Sequence, residues 1–446
     1  MNLANISPSN NNKAPLNTAA KQSLLSQKNL VHGEKKEDSY YNPELVQLQK
    51  EYKKWCERMD KLGRWAALYD CPNKQSKLSY KMYSWFVFIC CMWGTIGWII
   101  ALSYKLALDE AIPCIVSYYE IHSDNVPKNS WELIGVILLT LVSTINFIFR
   151  PKWFKAGYQT ADVNGNSLED IGYCPTGNIK SLKEMIKIIR RSVIGAYAIP
   201  IISLIGGCTI WNINLGDIIK KDGKFTCENN FYVVLDQILV YPIYAVASAV
   251  VGHTSMSFAL KMAYYKQCLR LMKEDLRNKN TEQEDVDSMA LVDHFNAIQH
   301  NINITGKEFG MYLGIYTTCC VLCSSFFVGK LASDGKNVNF LDFTIRAFYQ
   351  CLFIIPNIYI LVQAASLGTQ GMQVMRNFLR RPIHTHNPDS LIKRNYAINY
   401  FNLRLNVGDV GLRMYGILLN FKTLTQLFSL WFTFLTMIWG RAGGDG

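Results

Sequence analysis

Long apolar blocks separated by charged stretches dominate this sequence. Seven of them, at about 83–104, 131–149, 192–212, 231–256, 309–330, 341–369 and 411–439, hold near 20 mainly apolar residues or more, enough to cross about 30 Å of hydrocarbon as helices. The fourth, fifth and sixth blocks continue into helix-compatible sequence, with no internal Pro after Pro242 over 231–277 and none over 286–330. A 45-residue helix is roughly 68 Å long, so about half of each must project beyond the bilayer. The pattern predicts an all-α polytopic membrane protein.

A second, shorter periodicity lies outside the blocks. Leu45, Leu48, Tyr52, Trp55, Met59, Leu62 and Trp65 recur at steps of three and four and predict an amphipathic helix, packed on the protein's own cytoplasmic side or lying on the membrane surface. Leu291, Phe295, Ile298 and Ile302 make an apolar stripe on the projecting part of the fifth block, and Tyr396, Tyr400 and Leu403 do so on a candidate helix at 391–405. One-sided helices outside the membrane must bury that side, so a cytoplasmic helical bundle is expected, which could also join copies of the chain. This divides the chain into a polar tail at 1–42, a cytoplasmic amphipathic region at 43–82, and a seven-helix domain at 83–446 with cytoplasmic extensions at 257–308 and 370–410. The tail is too poor in apolar residues to offset the entropy of ordering and reads as disordered. Its polar character lacks the apolar core of a secretory signal, so insertion is expected to begin at the first span.

Charge sets the direction of the spans. The 446 residues carry a formal net charge of +12, and no nucleic-acid fingerprint accompanies it. Lys and Arg number 14 before the first span and 8, 6 and 6 in every second loop thereafter, 34 together, against 8 on the opposite side. Positive residues are retained in the cytoplasm, so the N-terminus is expected inside, the C-terminus outside, and the plasma membrane is the expected location. Both glycosylation sequons, at Asn5 and Asn303, then fall on the cytoplasmic side. Trp85, Trp131, Trp211 and Trp439 lie near block ends, where amphipathic rings favour the membrane interface. Of 13 cysteines, only Cys114 and Cys227 fall clearly in outside loops, where one disulfide could join them; Cys90, Cys91, Cys319, Cys320 and Cys323 read as packing residues within spans.

The last block carries the most distinctive chemistry. Thr425, Ser429, Thr433 and Thr436 recur at steps of four, four and three, with Gly440 four further on, so they form one polar stripe. Such hydroxyls either bond to their own helix and glue helices together, or line a pore when several copies surround an axis, with Met437 as an apolar constriction and Lys422 and Gln426 near the inner mouth. The stretch Ser429-Leu430-Trp431-Phe432-Thr433-Phe434-Leu435-Thr436-Met437 is similar to the terminal motif of the insect odorant and gustatory receptor superfamily, a Thr-Tyr, five hydrophobic residues, then Gln-Phe or Gln-Leu. Ser replaces Thr, Leu replaces Tyr, Thr replaces Gln and Met replaces the last apolar residue, as in a distant gustatory-receptor-like member. The architecture also resembles that superfamily from about residue 43 onward.

The resemblance implies a homotetrameric, ligand-gated, cation-conducting channel of chemoreceptor type, with the last helix lining the pore at Ser429, Thr433, Thr436 and Met437. Four Lys422 ammonium groups near one axis would repel cations unless they face another subunit or a carboxylate. It also implies a small-molecule site among the outer halves of the second to sixth spans, where Asp236, Gln237, Tyr241, Arg346, Tyr349 and Gln350 are the candidates. Asp236 and Arg346 are costly at that depth and must face protein or water, as an ion pair between helices or as polar contacts in an aromatic pocket. The expected partners are this ligand, permeating ions, membrane lipid and further copies of the chain; no cofactor, metal or nucleic acid is expected.

Three other classes lack their signatures. A G-protein-coupled receptor needs an outside N-terminus, and neither Asp-Arg-Tyr after the third span nor Asn-Pro-x-x-Tyr in the seventh is present; Pro356-Asn357-Ile358-Tyr359 reverses the order and lies in the sixth. A secondary transporter would use Pro200, Pro242 and Pro356 to break spans at a midplane site, but no internal repeat accompanies them. An enzyme would need a phosphate loop, a nucleophile elbow or a metal set, and His253, His384 and His386 lack further ligands.

Overall fold

The computed structural model describes residues 43–66, 77–97, 138, 140–145, 173–222, 230–281, 287–334, 340–382, 387–408 and 410–444. The polar tail at 1–42, Trp131, Cys114, Cys227, His384 and His386 lie outside the described residues. The chain divides into two units. Of Met1–Gln47 only 43–47, the opening of a helix, is described; everything below belongs to Leu48–Gly446.

The described residues are mostly helical. Helix α1 runs Pro43–Trp65 and α2 Lys77–Met92, the latter continued by a π turn at Trp93–Gly97. Residues 138 and 140–145, inside the second expected span, are helical. A 3₁₀ turn at Pro175–Gly177 leads into α3, Ile179–Asp222, followed by α4, Asn230–Thr281, α5, Ser288–Asp334, and α6, Phe340–Leu379. α7 spans Pro388–Val407, and after a two-stranded hairpin α8 spans Phe421–Gly444. Among the described residues, one helical stretch, Ser288–Gly329, is long and apolar enough to cross a membrane by length and composition alone.

The 52 residues of α4 reach roughly 78 Å, more than twice a hydrocarbon core. The expected extension of the fourth to sixth helices is present, and α3, expected only over 192–212, shares it with 44 residues. The reason is local: a Lys- and Ile-rich run before Ser192 is helix-compatible, although its charge ends the apolar block. α3 and α6 both continue through their internal prolines, Pro200 and Pro356. α4 is the hub, packed along α3 and α6, while α6 also touches α3, α5 and α7.

The apolar stripe on α5 is buried inside this one chain. Leu291, Phe295, Ile298 and Ile302 are all covered, with the Phe295 ring 5.5 Å from Phe401 on α7 and Phe378 of α6 5.2 Å from the same ring. Burying such a side chain is worth about 2–3 kcal/mol. α7 starts on an Asn387 cap that accepts from the Asp389 N–H at 3.0 Å, and it ends at Gly408 in the left-handed region. Its buried Arg394 donates to the Arg381 carbonyl and lies 5.5 Å from the Phe378 ring. Tyr400 donates to Asn296 of α5. Of the expected α1 stripe Tyr52, Met59 and Leu62 are buried, Leu45, Leu48 and Trp55 are half-buried and Trp65 is exposed; the Met59 carbonyl lies 3.2 Å from His253 Nε2 on α4. That lone histidine is therefore a structural one. Cys90, Cys91, Cys319, Cys320 and Cys323 are buried.

Candidate pore helix and its seat

The final apolar block does not begin as a helix. Residues 413–418 form a hairpin, Arg413–Met414 paired antiparallel with Ile417–Leu418, closed by a Leu419 N–H to Leu412 carbonyl bond of 2.8 Å. The expected span at 411–439 is corrected accordingly: its helix starts at Phe421. Tyr415 (φ 50°) and Gly416 (φ 80°) occupy the two central positions of the turn, and two positive φ values in a two-residue loop match the twist of the flanking strands. Hydropathy cannot detect this, because Leu412, Met414, Ile417 and Leu418 are as apolar as a span. Asn420 then caps α8, its Oδ1 accepting from the Thr423 N–H at 2.9 Å.

The hairpin sits on a glycine track. Gly306, Gly310 and Gly314 recur every four residues along α5 and present bare backbone to it. A Cβ on Gly310 would stand 2.5 Å from the Arg413 carbonyl oxygen, and one on Gly314 would enter the Tyr415 ring. On the other side Gly368 of α6 meets the backbone of Val410 and Gly411. A buried polar chain crosses the same region. Asn357 of α6 and Thr317 of α5 are joined by a hydrogen bond of 3.2 Å, Thr317 Oγ1 lies 3.9 Å from the Met414 sulfur, and Tyr316 donates to the Phe353 carbonyl at 2.7 Å. In the sequence Asn357 bears only on the reversed Pro-Asn order that excludes another receptor class. Its position directly after Pro356, inside an apolar block, was the available signal for a required polar contact.

α8 packs on α5 along one edge. Leu424 and Trp431 are buried, Phe428, Leu435 and Ile438 partly so, and Trp431 Nε1 donates to Ser324 Oγ on α5 at 2.8 Å. The other side is open. Thr425, Ser429, Thr433, Thr436 and Met437 are all exposed, with Phe432 and Leu430 flanking them at 71% each. The threonines satisfy their hydroxyls on their own helix: Thr425 donates to the Phe421 carbonyl at 2.8 Å, Thr433 to Ser429 at 2.9 Å and Thr436 to Thr433 at 2.8 Å. The stripe therefore glues nothing within the described part of this chain. It faces away from the α5 contact, and Lys422 is exposed near the start of the same helix.

The six candidate ligand-binding residues divide between two helices. Asp236, Gln237 and Tyr241 lie on α4, and Arg346, Tyr349 and Gln350 on α6, but their side chains are outside the described residues. Among the described residues no group of three His, Cys, Asp or Glu is placed to hold a metal ion.

No family model and no curated protein matches the sequence. Solved structures do. The insect olfactory receptor OR5 from Machilis hrabei is similar with a TM-score of 0.59 at 14% identity, over 86% of this chain and 97% of that one. The chain has the fold of an insect olfactory receptor. The same receptor in complex with eugenol gives a TM-score of 0.59 at 15% identity, over 87% and 98%. The olfactory-receptor fold agrees with the resemblance carried by the Ser429–Met437 stretch.

Proposed function

We propose that the chain is one subunit of a ligand-gated ion channel of chemoreceptor type, in which four copies surround a pore lined by α8. The observation that carries this reading is the exposed Ser429–Thr433–Thr436 stripe, which turns away from the edge α8 buries on α5. An exposed polar face set opposite the edge that α8 buries suits a water-filled axis. Met437 is the constriction, and it closes the path by dewetting as much as by size.

The reading includes seven spans with the N-terminus in the cytoplasm, as the 34 to 8 distribution of Lys and Arg requires. It includes the plasma membrane and cation conduction, with Lys422 turned from the axis or paired across subunits. α7 supports assembly: Ile392, Tyr396, Leu403 and Val407, four or seven apart, are each more than half exposed, while its opposite side is packed inward. The ligand is carried over as a small organic molecule, held by Asp236, Gln237, Tyr241, Arg346, Tyr349 and Gln350. Eugenol, bound by OR5, is the first compound to try.

Cysteine scanning of α8 in a background with reactive native cysteines replaced tests the pore. Thiol reagents carried by water should modify Thr433→Cys and Thr436→Cys and block current, and Trp431→Cys should stay unmodified. Met437→Ser should raise basal conductance. Modification without helical periodicity, together with unchanged conductance in every variant, rejects the pore and brings the transporter reading forward.

A further inference from the structure

One face of α3 changes character abruptly. Lys180, Lys183, Lys187, Arg190 and Arg191 are exposed, and by helical spacing they share a side with Ile194, Tyr197, Ile201 and Ile205, which are 54%, 42%, 55% and 62% exposed. The change from basic to apolar takes less than one turn, between Arg191 and Ile194. The single carboxylate in this basic run, Glu184, lies beside Lys180 and Lys187 at helical spacing and is already engaged, accepting from Arg270 of α4 at 2.6 Å and from Gln267 at 2.8 Å. Arg270 pairs with that carboxylate, so the cations of α3 keep most of their positive charge.

Aromatic rings flank the two arginines. Trp55 of α1 lies between Arg58, 4.3 Å from the ring centroid, and Arg190, 6.0 Å from it. Tyr359 of α6, 38% exposed, lies within electrostatic range of Arg191. Lys54 and Arg58 extend the positive surface on α1. A basic cluster rimmed by Trp and Tyr, with an exposed apolar strip directly beyond it, has the order of chemistry found in a phospholipid: anionic head, amphipathic shoulder, acyl chain.

We infer that Arg190 and Arg191, with Trp55 and Tyr359 at their sides, form a docking surface for the headgroup of an anionic phospholipid in the cytoplasmic leaflet, its chains lying along Ile194, Tyr197 and Ile201. The planar guanidinium forks match phosphate oxygens two at a time, which a lysine cannot do. Lys187 and Lys183 add long-range attraction one and two turns further from the bilayer. The choice of leaflet rests on the proposed membrane orientation; the preference for an anionic lipid does not.

Native mass spectrometry of the purified full-length protein, delipidated and offered phosphatidylserine or phosphatidylcholine with identical chains, reads the site without any channel activity. Phosphatidylserine should be retained over phosphatidylcholine. Arg190→Gln with Arg191→Gln should weaken its retention about 25-fold, at roughly fivefold per basic residue, while Lys393→Gln on α7 leaves it unchanged. Equal retention by the double variant overturns the inference, as does equally tight binding of glycerophosphoserine, which has the headgroup without the chains. Should the double variant not elute as a folded protein, salt decides: raising NaCl to about 1 M, where screening acts within about 3 Å, must release the lipid from the wild-type protein, and retention there overturns the inference. Lipid preference without conductance would sink the channel reading alone. Conductance without lipid preference would sink this one alone.

Discussion

Two one-sided helices in this chain look alike in sequence and end in opposite environments. The stripe Leu291, Phe295, Ile298 and Ile302 on α5 is apolar in a charged neighbourhood, and the chain buries it against α6 and α7. The stripe Thr425, Ser429, Thr433 and Thr436 on α8 is polar in an apolar neighbourhood, and the chain leaves it open. In each case the stripe is the minority chemistry of its segment. The chain drives the apolar minority inward and leaves the polar minority exposed. The first stripe holds one chain together, and the second is the face that the proposed channel turns to its pore.

The comparison breaks most visibly at Phe295. Phe295→Ala should destabilise the protein by about 3–5 kcal/mol, read as a large fall in thermal unfolding temperature that is independent of protein concentration. A variant that keeps its unfolding temperature while tetramers dissociate would move the stripe to a subunit interface. Gly310→Ala comes next, at about 1–3 kcal/mol, because the new Cβ meets the Arg413 carbonyl oxygen; Gly306→Ala, whose Cβ would stand 3.4 Å from its nearest neighbour, should be close to neutral. Equal effects of the two would mean that the hairpin does not rest on the track.

Smaller effects sharpen the α8 side. Trp431→Phe removes the hydrogen bond to Ser324 and should cost about 1 kcal/mol, and Ser324→Ala should add little once the indole is gone. Thr433→Ala should leave stability within about 0.5 kcal/mol yet change single-channel conductance or ion selectivity. A Thr433→Ala variant that unfolds early with unaltered currents would reverse the assignment of the two stripes.

The α1 helix and the α5 stripe were readable in the sequence from a three-to-four-residue rhythm, and the lengths of α4 to α6 from runs without an internal breaker; α7 was readable as a helix, but the side expected to be buried is exposed at Tyr396 and Leu403, and Arg394, Ala397 and Phe401 make the packed one. The open side of α8 was readable for the same reason. The hairpin before α8 was not. Leu412 to Leu419 is apolar enough to pass as span, and only Tyr415-Gly416 and Asn420 mark the interruption, through backbone angles and a cap that hydropathy ignores. The role of Gly306, Gly310 and Gly314 was hidden too, because a glycine every four residues becomes a groove only when the docking segment is known. The extension of α3 was missed because its first turns carry the charges that end an apolar block. The ligand candidates on α4 and α6 were chosen by depth and polarity alone.

α8 is fastened to α5 at two levels, through the hairpin seated at Gly310 and through the indole of Trp431 held by Ser324. These points are 14 residues apart on α5, roughly 21 Å along one straight rod. α8 also touches α6, so the freedom left to it is a small roll about the line that joins these two points. Such a roll would carry Thr433 and Met437 sideways across an axis with little change in the height of either, so a gate built on this plan turns like a shutter slat and does not slide like a bolt.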